Sequence, residues 1–121
     1  MKFVKMQAIA RCVVLSFLLF VLCLGFGLSP TYATSYDRQS LRMSDFSNQD
    51  LRGDDFTRAD LANADLHNAD MRGARLFDTT FSQADMTGVN MTGATLDSAR
   101  FIRTNLTNAI LEGAYAFDTD F

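Results

Sequence analysis

From Leu41 onward every fifth residue is apolar: Leu41, Phe46, Leu51, Phe56, Leu61, Leu66, Met71, Leu76, Phe81, Met86, Met91, Leu96, Phe101, Leu106, Leu111, Ala116 and Phe121. The phase holds across all seventeen positions, and only Ala116 is small. Neither common element accommodates this. On a helix with 3.6 residues per turn, a step of five advances by about 140°, which scatters the set around the cylinder. On a strand the step is odd, so successive members point to opposite faces. All seventeen stay inside only if the chain turns a corner every five residues. Four such sides close a square coil of twenty residues, and stacked coils bury a continuous column of side chains.

The rest of each pentapeptide agrees. Two residues before the large apolar position is a smaller one. Ala59, Ala64, Ala69, Ala74, Ala84, Ala94, Ala99, Ala109 and Ala114 fill nine of the seventeen places, and Val89 is a near substitute. Between the two sets, ten places hold Asp or Asn. A four-sided coil further predicts a weaker period of twenty. Gly53, Gly73, Gly93 and Gly113 recur at that interval, and so do Asn48, Asn68 and Asn108, with Gly88 in the missing place. Glycine and asparagine tolerate positive φ, so both columns suit corners.

Segments such as Ala59-Asp60-Leu61-Ala62-Asn63-Ala64-Asp65-Leu66 resemble the pentapeptide-repeat family, whose pattern is roughly A-(D/N)-(L/F)-x-x. The resemblance covers residues 39–121. It implies an all-β fold, a right-handed quadrilateral β-helix of about four coils, with four pentapeptides to each. Gln39, Gln49 and Asp54 depart from the pattern at the small inner position, so the first coil is expected to be either frayed or a cap.

The N-terminus has a different character. Lys2, Lys5 and Arg11 precede an uncharged, apolar run from Cys12 to Leu28, and Ser29-Pro30-Thr31-Tyr32-Ala33 follows. A basic start, an apolar middle and a small-residue exit describe a secretory signal peptide over residues 1–33, cut after Ala33. The run is shorter than the ~20 residues that span a bilayer, so membrane contact is expected only through an uncleaved leader. A short linker, 34–38, is expected to precede the repeats at 39–121. The leader carries both cysteines and both lysines. Residues 34–121 retain eight Arg against thirteen Asp and one Glu. Without disulfides, the exported part must be held by regular packing.

Chemistry is confined to the outward columns. Asp45, Asp65 and Asp85 should stack on one face, and Asp50 and Asp70 on the next. Such an acidic ladder is either a surface for a cation or basic partner, or a set of side chains that hydrogen-bond the corner backbone. Arg42, Arg52 and Arg72 lie close enough in sequence to offset its charge. Phe77, Ile102, Ile110, Tyr115 and Phe117 should face solvent as a candidate interaction surface. His67 is the only histidine; with no cysteine beside it, neither a metal site nor a Ser-His-Asp arrangement is expected. No cofactor motif is present.

These features point to a non-enzymatic scaffold that binds an unknown protein partner. The resemblance implies a thylakoid lumen or periplasm. It also implies that the open C-terminal end is covered by an end-to-end homodimer or continues in a longer gene product; a bound partner is the third arrangement. No nucleic acid is expected, given the acidic balance. The alternative from another class is an acidic DNA mimic that inhibits a topoisomerase; export opposes it, because that target is cytoplasmic.

Overall fold

Each pentapeptide closes on itself through one tight turn. The amide of the small inner residue donates to the carbonyl of the large one three residues earlier, as in Ala64 to Leu61 (3.0 Å), Ala69 to Leu66 (3.0 Å) and Ala84 to Phe81 (2.9 Å). The turn's third residue has positive φ at all seventeen corners from Arg38 to Asp118, five of them glycines, as a type II turn requires. Sequence reasoning assigned this geometry to the Gly and Asn columns alone. In the structure Met43, Arg58, Gln83, Ser98 and Arg103 adopt it as well. A side chain there costs on the order of 1 kcal/mol, and the ladder bonds on either side hold it in place.

The computed structural model describes residues 33–121, which form one compact unit. The predicted leader, 1–33, lies outside the described residues except for Ala33. Among the described residues no helix is long and apolar enough to cross a membrane. Parallel bridges join every fifth residue to the one twenty further on, from Ser35↔Asp55 to Arg100↔Asp120. This register makes each coil a square of four pentapeptides, and the fold is a right-handed quadrilateral β-helix. Amides alternate between the coils above and below: Leu61 donates to Thr80 (2.8 Å) and Thr80 donates to Ala59 (3.0 Å).

Residues 34–38 are the solenoid's first edge, not a linker. Ser35 bridges to Asp55, Arg38 turns the corner, and Tyr36 packs against the core. Its ring stacks on Phe56 with centroids 4.6 Å apart. The first coil is not frayed either. Leu41, Phe46 and Leu51 donate to the second coil at 2.7–2.8 Å. Gln39 and Gln49 turn outward and donate to the carbonyls of Ser35 and Asp45.

The four faces supply four inward columns. The first contains Leu41, Leu61, Phe81, Phe101 and Phe121; the second, Phe46, Leu66, Met86 and Leu106. The third contains Leu51, Met71, Met91 and Leu111; the fourth, Tyr36, Phe56, Leu76, Leu96 and Ala116. Every large inward residue from Leu41 to Phe101 is buried, each contributing on the order of 1.5–3 kcal/mol. Leu106 and Leu111 are half-buried, and Ala116 and Phe121 are exposed, because no coil among the described residues lies above them. Beyond the first coils, the polar substitute in the alanine columns is threonine. Thr79, Thr104 and Thr119 donate their hydroxyls to the carbonyls of Phe56, Phe81 and Leu96 at 2.7–2.9 Å. That contact satisfies Thr79 even though it is fully buried.

Gly88 takes the place of an asparagine in the asparagine column, at a φ of +67°. A Cβ there would lie 2.5 Å from Oδ1 of Asn68, which leans over it. Gly73 has open space, so its glycine answers to φ alone (+67°). Gly73→Ala should therefore cost about 1–2 kcal/mol and Gly73→Asn less than half of that, because asparagine tolerates the left-handed region. Chemical denaturation of both variants checks this; equal losses would mean that φ is not what selects glycine.

Candidate interaction surface

The outward carboxylates are first of all corner devices. Oδ1 of Asp45 accepts the amide and the hydroxyl of Ser47 (3.1 and 2.6 Å), and Asp85 does the same for Thr87. The same side chain to i+2 amide bond recurs at Asp50, Asp55, Asp60, Asp65 and Asp70. It recurs again at Asn90 and Asn105, which accept from Thr92 and Thr107. Such Asx turns satisfy an amide that the turn would otherwise leave without a partner. Asn90-Met91-Thr92 and Asn105-Leu106-Thr107, which match the glycosylation sequon, are therefore part of the coil's own turn chemistry.

The two acidic columns differ electrostatically. On the third face, Arg52 grips Asp50 with two bonds (2.7 and 2.6 Å), and Arg72 grips Asp70 likewise (2.8 and 2.6 Å). Nε of Arg52 also lies 3.8 Å from Asp70, linking the pairs across coils. The Arg52 hydrogen bond holds the Asp50 carboxyl down at about 2. Asp70 is lowered likewise by Arg72. Arg42 does not serve this column; it pairs with Asp60 at 3.0 Å.

On the second face, Asp45, Asp65 and Asp85 stack with no arginine in their rows. His67 stands among them. Its Nδ1 is 2.7 Å from Asp65, and its Nε2 is 3.2 Å from the amide nitrogen of Asn48. The Asp65 bond raises the imidazole pKa, and the charges of Asp65, Asp85 and Asp45 add to the rise. Asp85 is lowered, chiefly by its Thr87 hydroxyl. Among the described residues no group of three or more acidic, histidine or cysteine side chains could hold a metal ion.

A pH dependence follows. Asp50, Asp55, Asp70 and Asp85 all have folded pKa values below the ordinary carboxylate value. Their contribution is present above that value, roughly 4, and is lost as pH falls through the folded values. The melting midpoint should fall progressively below about pH 4, and Asp50→Asn should make the fall shallower. A midpoint that does not change from pH 5 to pH 2 would contradict this.

The five outward apolar residues do not form one patch. Phe77, Tyr115 and Phe117 lie on the fourth face, Ile102 on the first and Ile110 on the third. Tyr115 and Phe117 are the most open, at 67% and 81%, and lie together on the last coil. Asp97 separates Phe117 from Phe77 in their column and accepts the Phe117 amide at 2.9 Å. Phe121, an inward position, adds an exposed ring at the C-terminal end, stacked on Phe101 at 5.1 Å. Sequence reasoning counted that ring as core; among the described residues no coil covers it.

The model of the family described as pentapeptide repeats matches residues 40–76 and 74–113, in eight copies. The chain belongs to the pentapeptide-repeat family. Among solved structures, the chain is similar to a pentapeptide-repeat protein from the thylakoid lumen of Arabidopsis thaliana, at 38% identity and a TM-score of 0.67. The alignment covers 69% of this chain and 59% of that one, so this chain spans less than two thirds of that relative's length. It is also similar to alr5209 from Nostoc PCC 7120 (29% identity, TM-score 0.66, 69% and 85% covered). A third is Rfr23 from the cyanobacterium Cyanothece 51142 (25%, 0.50, 79% and 69%). A search of curated proteins finds no match.

Proposed function

We propose that this pentapeptide-repeat protein is an exported, non-enzymatic scaffold that presents its C-terminal coils to a protein partner in a thylakoid lumen or periplasm. The observation that carries the binding role is the pair Tyr115 and Phe117, side by side on one face and the two most exposed large apolar residues of the described chain. Most outward acids bond their own corner or an arginine, which leaves a rigid surface suited to contact and with little chemistry of its own. Export rests on the leader-like pattern of residues 1–33 and on similarity to the lumenal Arabidopsis protein.

The charge distribution favours this reading over DNA mimicry. Arginines interrupt the first, third and fourth faces, at Arg42, Arg52, Arg72, Arg75 and Arg100, and each is paired with an aspartate. Two experiments separate the components. Residues 1–33 fused to a reporter active only after export should give signal. Partner capture from the native compartment should be lost in a Tyr115→Ser/Phe117→Ser double variant that retains the parent melting midpoint. Equal capture by both proteins would move the contact elsewhere on the solenoid.

A further inference from the structure

Asp54 stands second in a small-residue column, directly after Thr34 and before three alanines: Ala74, Ala94 and Ala114. It is 6% exposed. Burial pushes its carboxyl pKa up, and the nearby negative charge of Asp50 adds to the rise; a bond from the Thr34 amide partly opposes it. The Thr34 nitrogen donates that bond to Oδ1 at 2.7 Å. The Thr34 carbonyl in turn accepts the Asp55 amide at 2.9 Å. Residue 34 is thus held at both ends by the dipeptide one coil further on, with its nitrogen aimed at a buried acid. A neutral amide is a poor match for a buried carboxylate in an alanine position. A cation in the same place would be a good one.

The leader expected from the sequence ends at Ala33, which is exposed, so the nitrogen facing Asp54 is the one that a cut would free. We propose that leader removal makes Thr34 the mature N-terminus and that its α-ammonium pairs with the Asp54 carboxylate, clamping the first coil only after export. In the cut, water's hydroxyl adds to the Ala33 carbonyl carbon as the C–N bond breaks. The released Thr34 nitrogen takes up protons to become the ammonium. The inference rests on the export reading above. What it adds is a defined maturation site and a reason for the one acid in the alanine column. Because the described core lies within residues 33–121, a protein that starts at Thr34 keeps all of it.

The test compares that protein with the same chain starting at Thr31, which has an amide at residue 34. At pH 6 the Thr34-start form should melt about 4–8 °C higher, the shift expected of one good charge-assisted contact in a domain of this size. The gain should vanish in Asp54→Asn, which keeps the acceptor oxygen and removes the charge. The ammonium's folded pKa is raised by its partner. Its contribution is therefore complete below the ordinary α-amino value of roughly 7.7–8.0 and disappears as pH rises through the folded value. Mass measurement of the exported protein supplies the second arm and should place its first residue at Thr34. Equal melting of the two forms, with Thr34 found as the mature terminus, overturns the clamp and leaves export intact. A mature terminus elsewhere overturns both the clamp and the placement of the cut.

Discussion

Leu66→Arg should abolish the cooperative melt and the β-sheet signal of the unit. Leu66 is fully buried, on the second face near mid-stack. It lies between Phe46 below and Met86 above, in a column with no route to solvent along its axis. An arginine there has two outcomes. Either a guanidinium is buried with no acid in its column to receive it, or the coil opens to let it out. Burying an unpaired charge costs at least several kcal/mol. Opening one coil breaks the ladder on both sides, since Leu66 donates to Asp85 and the carbonyl of Asp65 accepts from Phe46. Either loss is comparable to the total stability of a small domain, roughly 5–15 kcal/mol. Circular dichroism with thermal and urea titration checks this. A cooperative melt at the parent midpoint would mean that the inward assignment is wrong.

The fivefold pattern made the inward columns and the twenty-residue register legible in the sequence, because burial acts on a property each residue carries with it. Corner geometry was legible only where side chains advertise it. Asn68 and Gly73 signal positive φ; Arg58 and Met43 do not, and they are forced into it by the ladder bonds. Tyr36 stands in phase with Leu41, but its hydroxyl and the threonine at 34 disguise the repeat, so the first edge read as a linker. Thr79 takes an alanine position, and nothing in the sequence explains it. Its bond to the Phe56 carbonyl spans 23 residues and exists only once a coil is closed. The contact between His67 and Asn48, nineteen residues apart, was hidden for the same reason. The outward apolar residues were identified individually. Which of them share a face followed from the register, and which stay uncovered depends on where the stack of coils stops.

That last dependence can be measured within a single column. Phe81, Phe101 and Phe121 stack in parallel, with centroids 5.0 and 5.1 Å apart and planes within 10° and 8°. Chemistry and stacking are the same, yet Phe81 is fully buried and Phe121 is 63% exposed. Phe81→Ala removes a ring enclosed by coils on both sides and leaves a cavity that a regular ladder cannot collapse to fill. The expected loss is about 3–5 kcal/mol, or roughly 12 °C or more in melting midpoint for a unit of this size. Phe121→Ala removes a ring that already faces water. It forfeits one stacking contact, about 0.5–1.5 kcal/mol, and a few degrees. In a solenoid each coil leans only on its neighbours, so a residue's contribution depends on whether another coil lies above it as well as on what it is. Similar losses from the two variants in the isolated chain would show that something covers Phe121 in solution.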